Sequence, residues 1–182
     1  DTTNLALTGS AALASKEVGA QALVFTNYAT PVRVQSATGS VTATATYSVT
    51  MAAPTKGNTL VAVLTTRSNT TSRVTGIGQT GATWTRAAQA ANTNGVTTEI
   101  WYAPNVTNAG TTVTITNASV LNAAAVIMEY SGLLSAGALD QTNGATGTGT
   151  NAVTGTTPAT TQPNELWIGG IAFSNSTPTL GS

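Results

Sequence analysis

From Ser40 to Met51, apolar and hydroxyl side chains alternate without a break. Val41, Ala43, Ala45, Tyr47, Val49 and Met51 are interleaved with Ser40, Thr42, Thr44, Thr46, Ser48 and Thr50. A two-residue period belongs to a strand with one face in a core, so the Val41 set is predicted inward and the hydroxyl set outward. Ala53-Pro54 and Lys56-Gly57 end the strand. Residues 59–66 (TLVAVLTT) read as a continuous apolar strand, and residues 73–78 and 83–90 as shorter ones. Asn94-Gly95 stands between 83–90 and 96–103 and predicts an antiparallel hairpin, with positive φ at both turn residues. Residues 111–116 alternate again, with Val113 and Ile115 inward. Residues 123–130 (AAAVIMEY) suit a strand in length, while the alanines leave a helix open. Residues 142–161 are low-complexity Thr, Gly and Ala, with strand stubs such as 152–157. Residues 165–173 (ELWIGGIAF) form the last firm strand, and 174–182 are a tail or the start of another.

Short strands at regular spacing, joined by turn signals and with no long helical pattern between them, predict an all-β fold. The expected form is an antiparallel two-sheet sandwich over residues 40–182. Three strands (59–66, 123–130 and 165–173) are apolar on both faces, whereas a sandwich strand needs only one apolar face. Their second face calls for a cover from residues 1–39 or from a neighbouring subunit, unless its small side chains simply face water.

Residues 1–39 differ from the rest. Residues 13–24 (LASKEVGAQALV) read as a helical turn or two, weakened by Gly19, or as an irregular strand. Residues 25–35 (FTNYATPVRVQ) read as extended, with a break at Pro31. The segment is too short to bury a core of its own. Phe25, Tyr28, Val32 and Val34 would be poorly solvated if free, so the segment is expected as an extended N-terminal arm over a sheet. Placement on the next subunit is favoured over placement on its own, which makes these four residues the candidate self-association set.

Composition narrows the function. Six Lys+Arg balance six Asp+Glu, charged residues are 7% of the chain, and there is neither His nor Cys. No imidazole base, thiolate or zinc site of the usual ligands can form. A net charge of zero supplies no field for nucleic acid or an anionic membrane. No apolar run is long enough for a membrane span. The chain has 39 Thr, 30 Ala, 18 Gly and 14 Asn. Its surface must therefore be hydroxyls and amides, which suits an extracellular, cell-surface or virion-surface protein. Asp1 in place of Met fits removal of a leader as well as an internal boundary.

From Gly57 onward the chain resembles a β-sandwich module of bacterial extracellular and phage-related structural proteins. The resemblance rests on GNTLVAVLTTRS at 57–68, TWTRAAQA at 83–90, EIWYAPNV at 99–106, AAAVIMEYSGL at 123–133, LDQT at 139–142 and ELWIGGIA at 165–172. It covers about two-thirds of the chain and implies a jelly-roll-like sandwich, usually without catalytic activity. Core-strand residues define this module, so no functional residue is carried over. Such modules continue past the ELWIGGIA strand, implying one more strand from the chain or from elsewhere.

Each candidate for chemistry has a plainer reading. Glu99 and Glu129, beside Trp101 and Tyr130, are the best acid pair for a glycosidase. The plainer reading pairs each with Arg67, Arg73 or Arg86. Lys16 or Lys56 could condense with an Asn beside Glu129 or Glu99 as a covalent staple, though Lys56 also reads as a solvated turn residue. Asp140, Gln141 and Asn143 offer oxygen ligands for Ca²⁺, with only one carboxylate. Trp101 and Tyr102 are the candidate ligand-facing aromatics for a sugar. Adjacent in a strand, they must point to opposite faces. Trp84 and Trp167 read as core. Asn69, Asn105, Asn117 and Asn175 stand in glycosylation sequons. Thr42, Thr44 and Thr46 form a hydroxyl row; flat arrays of such rows order water or ice, but a single row on a twisted sheet does not. No metal, cofactor or catalytic residue is expected.

The function expected is a non-catalytic extracellular subunit that self-associates head-to-tail by strand or arm exchange, into a filament or surface layer. The alternatives are a glycan-binding or adhesive module and a phage decoration or tail-fibre domain.

Overall fold

The computed structural model describes residues 22–147 and 153–173. These residues form an all-β, antiparallel fold without a helix. Its strands are β1 (Ala22–Thr50), β2 (Thr59–Thr66), β3 (Val74–Gly78), β4 (Thr85–Asn92), β5 (Val96–Ala103), β6 (Thr112–Leu133), β7 (Leu139–Asn143) and β8 (Glu165–Ile168). Neighbours in the sheet run β4-β5-β2-β6-β1-β7, with β3 on β6 and β8 on β1.

β2 and β5 occupy the predicted 59–66 and 96–103. Residues 123–130 are strand, because β2 and β1 pair with them on either side. They also join the alternating run at 112–116 in one 22-residue strand. The stubs foreseen at 152–157 form no strand over 153–157, whereas 139–143 do. The tail 174–182 and the part of 13–24 before residue 22 lie outside the described residues.

β1 and β6 form a long ribbon with a corner. Thr44 pairs with Leu121 and Thr46 with Thr116, so two steps along β1 match five along β6. Ala43 adopts φ 50 there, and its N–H donates to Asn122 Oδ1 at 2.9 Å. Extra residues in one strand bend it and re-aim its side chains. The predicted alternation therefore holds on either side of the corner and fails within it. Tyr47, Val49 and Met51 are buried and Val41 packs on the core, but Ala43 is exposed. Beyond the corner, Tyr47, Val49, Val113 and Ile115 share one core with Leu60, Leu64, Trp101 and Ile127.

The second face of β2 is covered in cis, while Ala124 and Val126 of β6 and Trp167 of β8 stay exposed. Val61, Ile100 and Tyr130 pack with Ala138 and Ile168, flanked by Leu134, Leu139 and Leu166. A Cβ on Gly170 would lie 2.6 Å from Val63 Cγ1, so the covering segment needs glycine at that close approach. The described side chains of this cover come from the chain after β6, and β7 and β8 pair there with residues 22–26, part of the 1–39 segment that the sequence offered as a cover.

The described part of the arm, residues 22–39, also packs in cis. Leu23 to Thr26 pair with Ile168 to Glu165 of β8, and Arg33 to Val41 pair with Tyr130 to Ala123 of β6. The strand runs through residues 39 and 40 without interruption, so the arm and the domain share one element.

The hairpin lies where Asn94-Gly95 puts it, with Asn92 opposite Val96 and Thr85 opposite Tyr102. Its loop has three residues, and only Gly95 takes positive φ, at 96°. The Gly95 N–H donates to Asn92 O at 3.0 Å, and Asn92 Oδ1 accepts from Asn94 N–H at 2.8 Å. A three-residue loop with one left-handed glycine replaces the tighter two-residue turn.

Candidate functional site

The most distinctive surface is the free edge of β1. From Val32 to Thr50 this strand pairs with β6 on one side, and no described strand pairs with its other side. Val32 and Val34 are 55% and 49% exposed, and Val126, two-thirds buried, emerges nearby opposite Thr38. Arg33 is the single charge between residues 30 and 50. An edge strand presents alternate N–H and C=O groups that another strand can pair with, and lysines or other charges normally blunt it. Here the blunting devices are Pro31, Arg33 and the corner at Ala43. For Phe25 and Tyr28, the other members of the expected association set, only the backbone is described, within β1.

The buried carboxylates are each fully occupied. Glu99, 1% exposed, accepts from the Val74 N–H at 2.9 Å through Oε1. Its Oε2 accepts from Trp101 Nε1 at 3.1 Å and pairs with Arg86 at 3.4 Å. The Arg86 guanidinium also lies 5.5 Å from the Trp101 ring centroid. Glu129, wholly buried, forms no ion pair among the described residues. It accepts from Gln35 Nε2 at 2.6 Å, Thr55 N–H at 2.8 Å and Asn58 Nδ2 at 2.6 Å. Burial pushes its pKa up, but the Gln35, Thr55 and Asn58 hydrogen bonds outweigh burial and leave it below the ordinary value.

These two acids do not form a catalytic pair. Their Cα atoms lie opposite Leu64 and Leu60 across β2, about 16 Å apart by strand geometry, and each carboxylate is held by its own separate set of donors. Glu99 thus takes the plainer reading, with Arg86 as its partner, while Glu129 takes amide donors that sequence reasoning missed. Nothing local marks Gln35 or Thr55 as its partners, 94 and 74 residues away.

Of the other candidates, Lys56 is exposed, and Lys16 lies outside the described residues. Asp140 accepts from Thr161 N–H at 2.7 Å and Thr161 Oγ1 at 3.0 Å. The Thr161 N–H is the leading cause of its lowered pKa. Glu165 is pushed up, first by burial and then by Asp140 nearby. Gln141 donates to Asp140, and Asn143 is engaged with Thr156 and Gly144, so this set is spent on holding the loop. No three Asp or Glu side chains gather into a metal-binding group among the described residues.

The aromatics separate by face, as adjacency in a strand requires. Trp101 is in the main core at 8% exposure, and Tyr102 is half-buried on the second face. Trp101 therefore presents no ring to a ligand. Trp84 packs on the core and donates from Nε1 to Gln79 Oε1 at 3.2 Å. Trp167, read as core, is 49% exposed, since Leu166 and Ile168 use the inward face of β8. Asn69 and Asn105 are exposed sequons, Asn117 is buried, and Asn175 lies outside the described residues. The corner interrupts the Thr42–Thr44–Thr46 row. A regular hydroxyl pairing forms beyond it, where Thr46, Ser48 and Thr50 stand opposite Thr116, Thr114 and Thr112.

An open cleft of about 420 Å³ lies where β2 ends, between Val41, Arg67, Ala123 and Phe173. It holds no pair of groups arranged for acid–base or nucleophilic chemistry.

A scan against protein-family models, a search of curated proteins and a search of solved structures each found no match for the chain.

Proposed function

We propose that this chain is a non-catalytic structural subunit of an extracellular or surface assembly, and that it associates with its own copies through the free edge of β1. The edge carries the reading: it is long, neutral but for Arg33, and flanked by exposed Val32 and Val34. Main-chain pairing along such an edge supplies affinity without charge or a pocket. The scarcity of charge supports the surface location, because a hydroxyl and amide surface is insensitive to salt and pH. The shared core on both sides of the β1–β6 corner supports a jelly-roll-like two-layer form. With the described arm held in cis, association runs by edge pairing. Pairing of the β1 edge of one copy with the opposite edge, β4, of the next is head-to-tail and gives a filament unless the rotation closes.

The test is solution mass against concentration, joined to electron microscopy. Self-association that is lost on Val34→Lys, with an unchanged circular dichroism spectrum, agrees with the proposal. A monodisperse monomer at high concentration overturns it. That outcome favours the glycan-binding reading, for which the half-exposed Trp167 supplies a ring.

A further inference from the structure

The chain contains two Asn-Gly pairs in closely similar contexts, Thr93-Asn94-Gly95-Val96 and Thr142-Asn143-Gly144-Ala145. At such a pair the glycine nitrogen can attack the asparagine side chain, since glycine places no Cβ in the way. In sequence terms the two sites are equivalent, but the structure treats them differently.

At the hairpin, the Gly95 N–H is committed to Asn92 O at 3.0 Å, in a turn closed on both sides by β4–β5 pairing. At the end of β7, the Gly144 N–H instead points to Asn143 Oδ1 at 2.8 Å. With a carbonyl bond of about 1.23 Å and a C=O···N angle of about 90–120°, that contact puts the nitrogen roughly 3.1–3.6 Å from Asn143 Cγ. This is the separation of a near-attack conformer. Asn143 Nδ2 donates to Thr156 O at 2.6 Å, which holds the carboxamide in place. Gly155 backs onto it: a Cβ there would stand 2.7 Å from Nδ2.

We propose that Asn143 is a self-modifying site, which deamidates through Gly144 several-fold faster than Asn94 in the folded chain. The Gly144 nitrogen gives up its proton and forms a bond to Cγ. The Cγ–Nδ2 bond breaks, and Nδ2 leaves as ammonia with that proton. Water then opens the cyclic imide at either carbonyl, leaving aspartate or a main chain rerouted through the side chain. No oxidant, reductant or enzyme is needed. Loss of the Nδ2 donor leaves a carboxylate facing the Thr156 carbonyl, so conversion undoes the tie between the end of β7 and residues 153–157.

The experiment incubates the full chain at mildly alkaline pH, folded and in guanidinium, and follows both sites by peptide mass spectrometry. In denaturant the two rates should lie close together, because each site is reduced to the same tripeptide. In the folded chain Asn143 should convert several-fold faster than Asn94, and a ratio at or below one overturns the proposal. Gly155→Ala, which displaces the Asn143 side chain, should reduce the ratio while leaving the Asn94 rate unchanged. A variant that fails to fold is recognised by Asn94 reaching its denatured rate. In a folded variant, an unchanged ratio also counts against the proposal.

Discussion

Asn58 donates from Nδ2 to Oε1 of Glu129 at 2.6 Å, and that oxygen also accepts the Thr55 N–H at 2.8 Å. The second oxygen accepts from Gln35, which in turn brackets Ala52 through both atoms of its amide. One buried carboxylate thus ties the turn after β1 to β6 and to β1 itself.

Replacing Glu129 with Gln puts an NH₂ group where an acceptor is needed and leaves at least one part-buried donor unpaired. The expected loss is about 1–3 kcal/mol, read from the denaturant midpoint. The folded pKa is depressed, so this stabilisation is present above the ordinary carboxylate value and is lost as pH falls through the folded one. Acid unfolding should therefore be shallower in Glu129→Gln. A variant with the same acid limb as the parent would show that Glu129 does not carry it.

Tyr47 is buried, and its hydroxyl has no hydrogen-bond partner among the described residues. Burial pushes its pKa up to about 12. Tyr47→Phe removes an unpaired polar atom and keeps the ring, so stability should be unchanged or should rise by up to about 1 kcal/mol. Because the folded value lies above the unfolded value of 10.0, the tyrosine's contribution is complete below pH 10 and falls as pH rises towards 12. Ultraviolet titration of the phenols should lose its latest component in the variant. A drop in melting temperature beyond about 1 kcal/mol equivalent would mean the hydroxyl is bonded.

Val49 is fully enclosed between the two halves of the β1–β6 ribbon. Val49→Asp buries an unpaired charge and should abolish cooperative unfolding at room temperature. Ser48→Asp, one residue away on the exposed face, should stay within about 0.5 kcal/mol of the parent. Equal effects at the two positions would mean that the inward and outward assignments do not hold.

Arg86 neutralises Glu99 and covers Trp101. Arg86→Met keeps much of the apolar stem but leaves the buried carboxylate with neutral donors only. A fully buried pair would lose several kcal/mol, but the Arg86 side chain is 31% exposed, so the expected loss is about 1–2 kcal/mol. The Trp101 fluorescence maximum should shift, and an unshifted spectrum with unchanged stability would show that the contact contributes nothing.

Much of the strand layout was readable from the chain alone. An apolar run delimits β2, Asn94-Gly95 places the hairpin and with it β5, and alternation assigns Tyr47, Val49 and Met51 inward, because side-chain direction in a strand depends on backbone geometry alone. Three features came only from the tertiary structure: the fusion of 112–116 with 123–130, the corner at Ala43, and the cover over β2. Apolar burial has no direction, so a pattern reveals that a face needs covering without naming what covers it. The same holds for Glu129, whose donors Gln35, Thr55 and Asn58 come from distant parts of the chain, and for Trp101, whose burial depends on Arg86 and the far half of β6. The two Asn-Gly pairs make the distinction most simply. Sequence gives them the same chemistry, and only the hydrogen bond that each glycine N–H makes in the folded chain separates them.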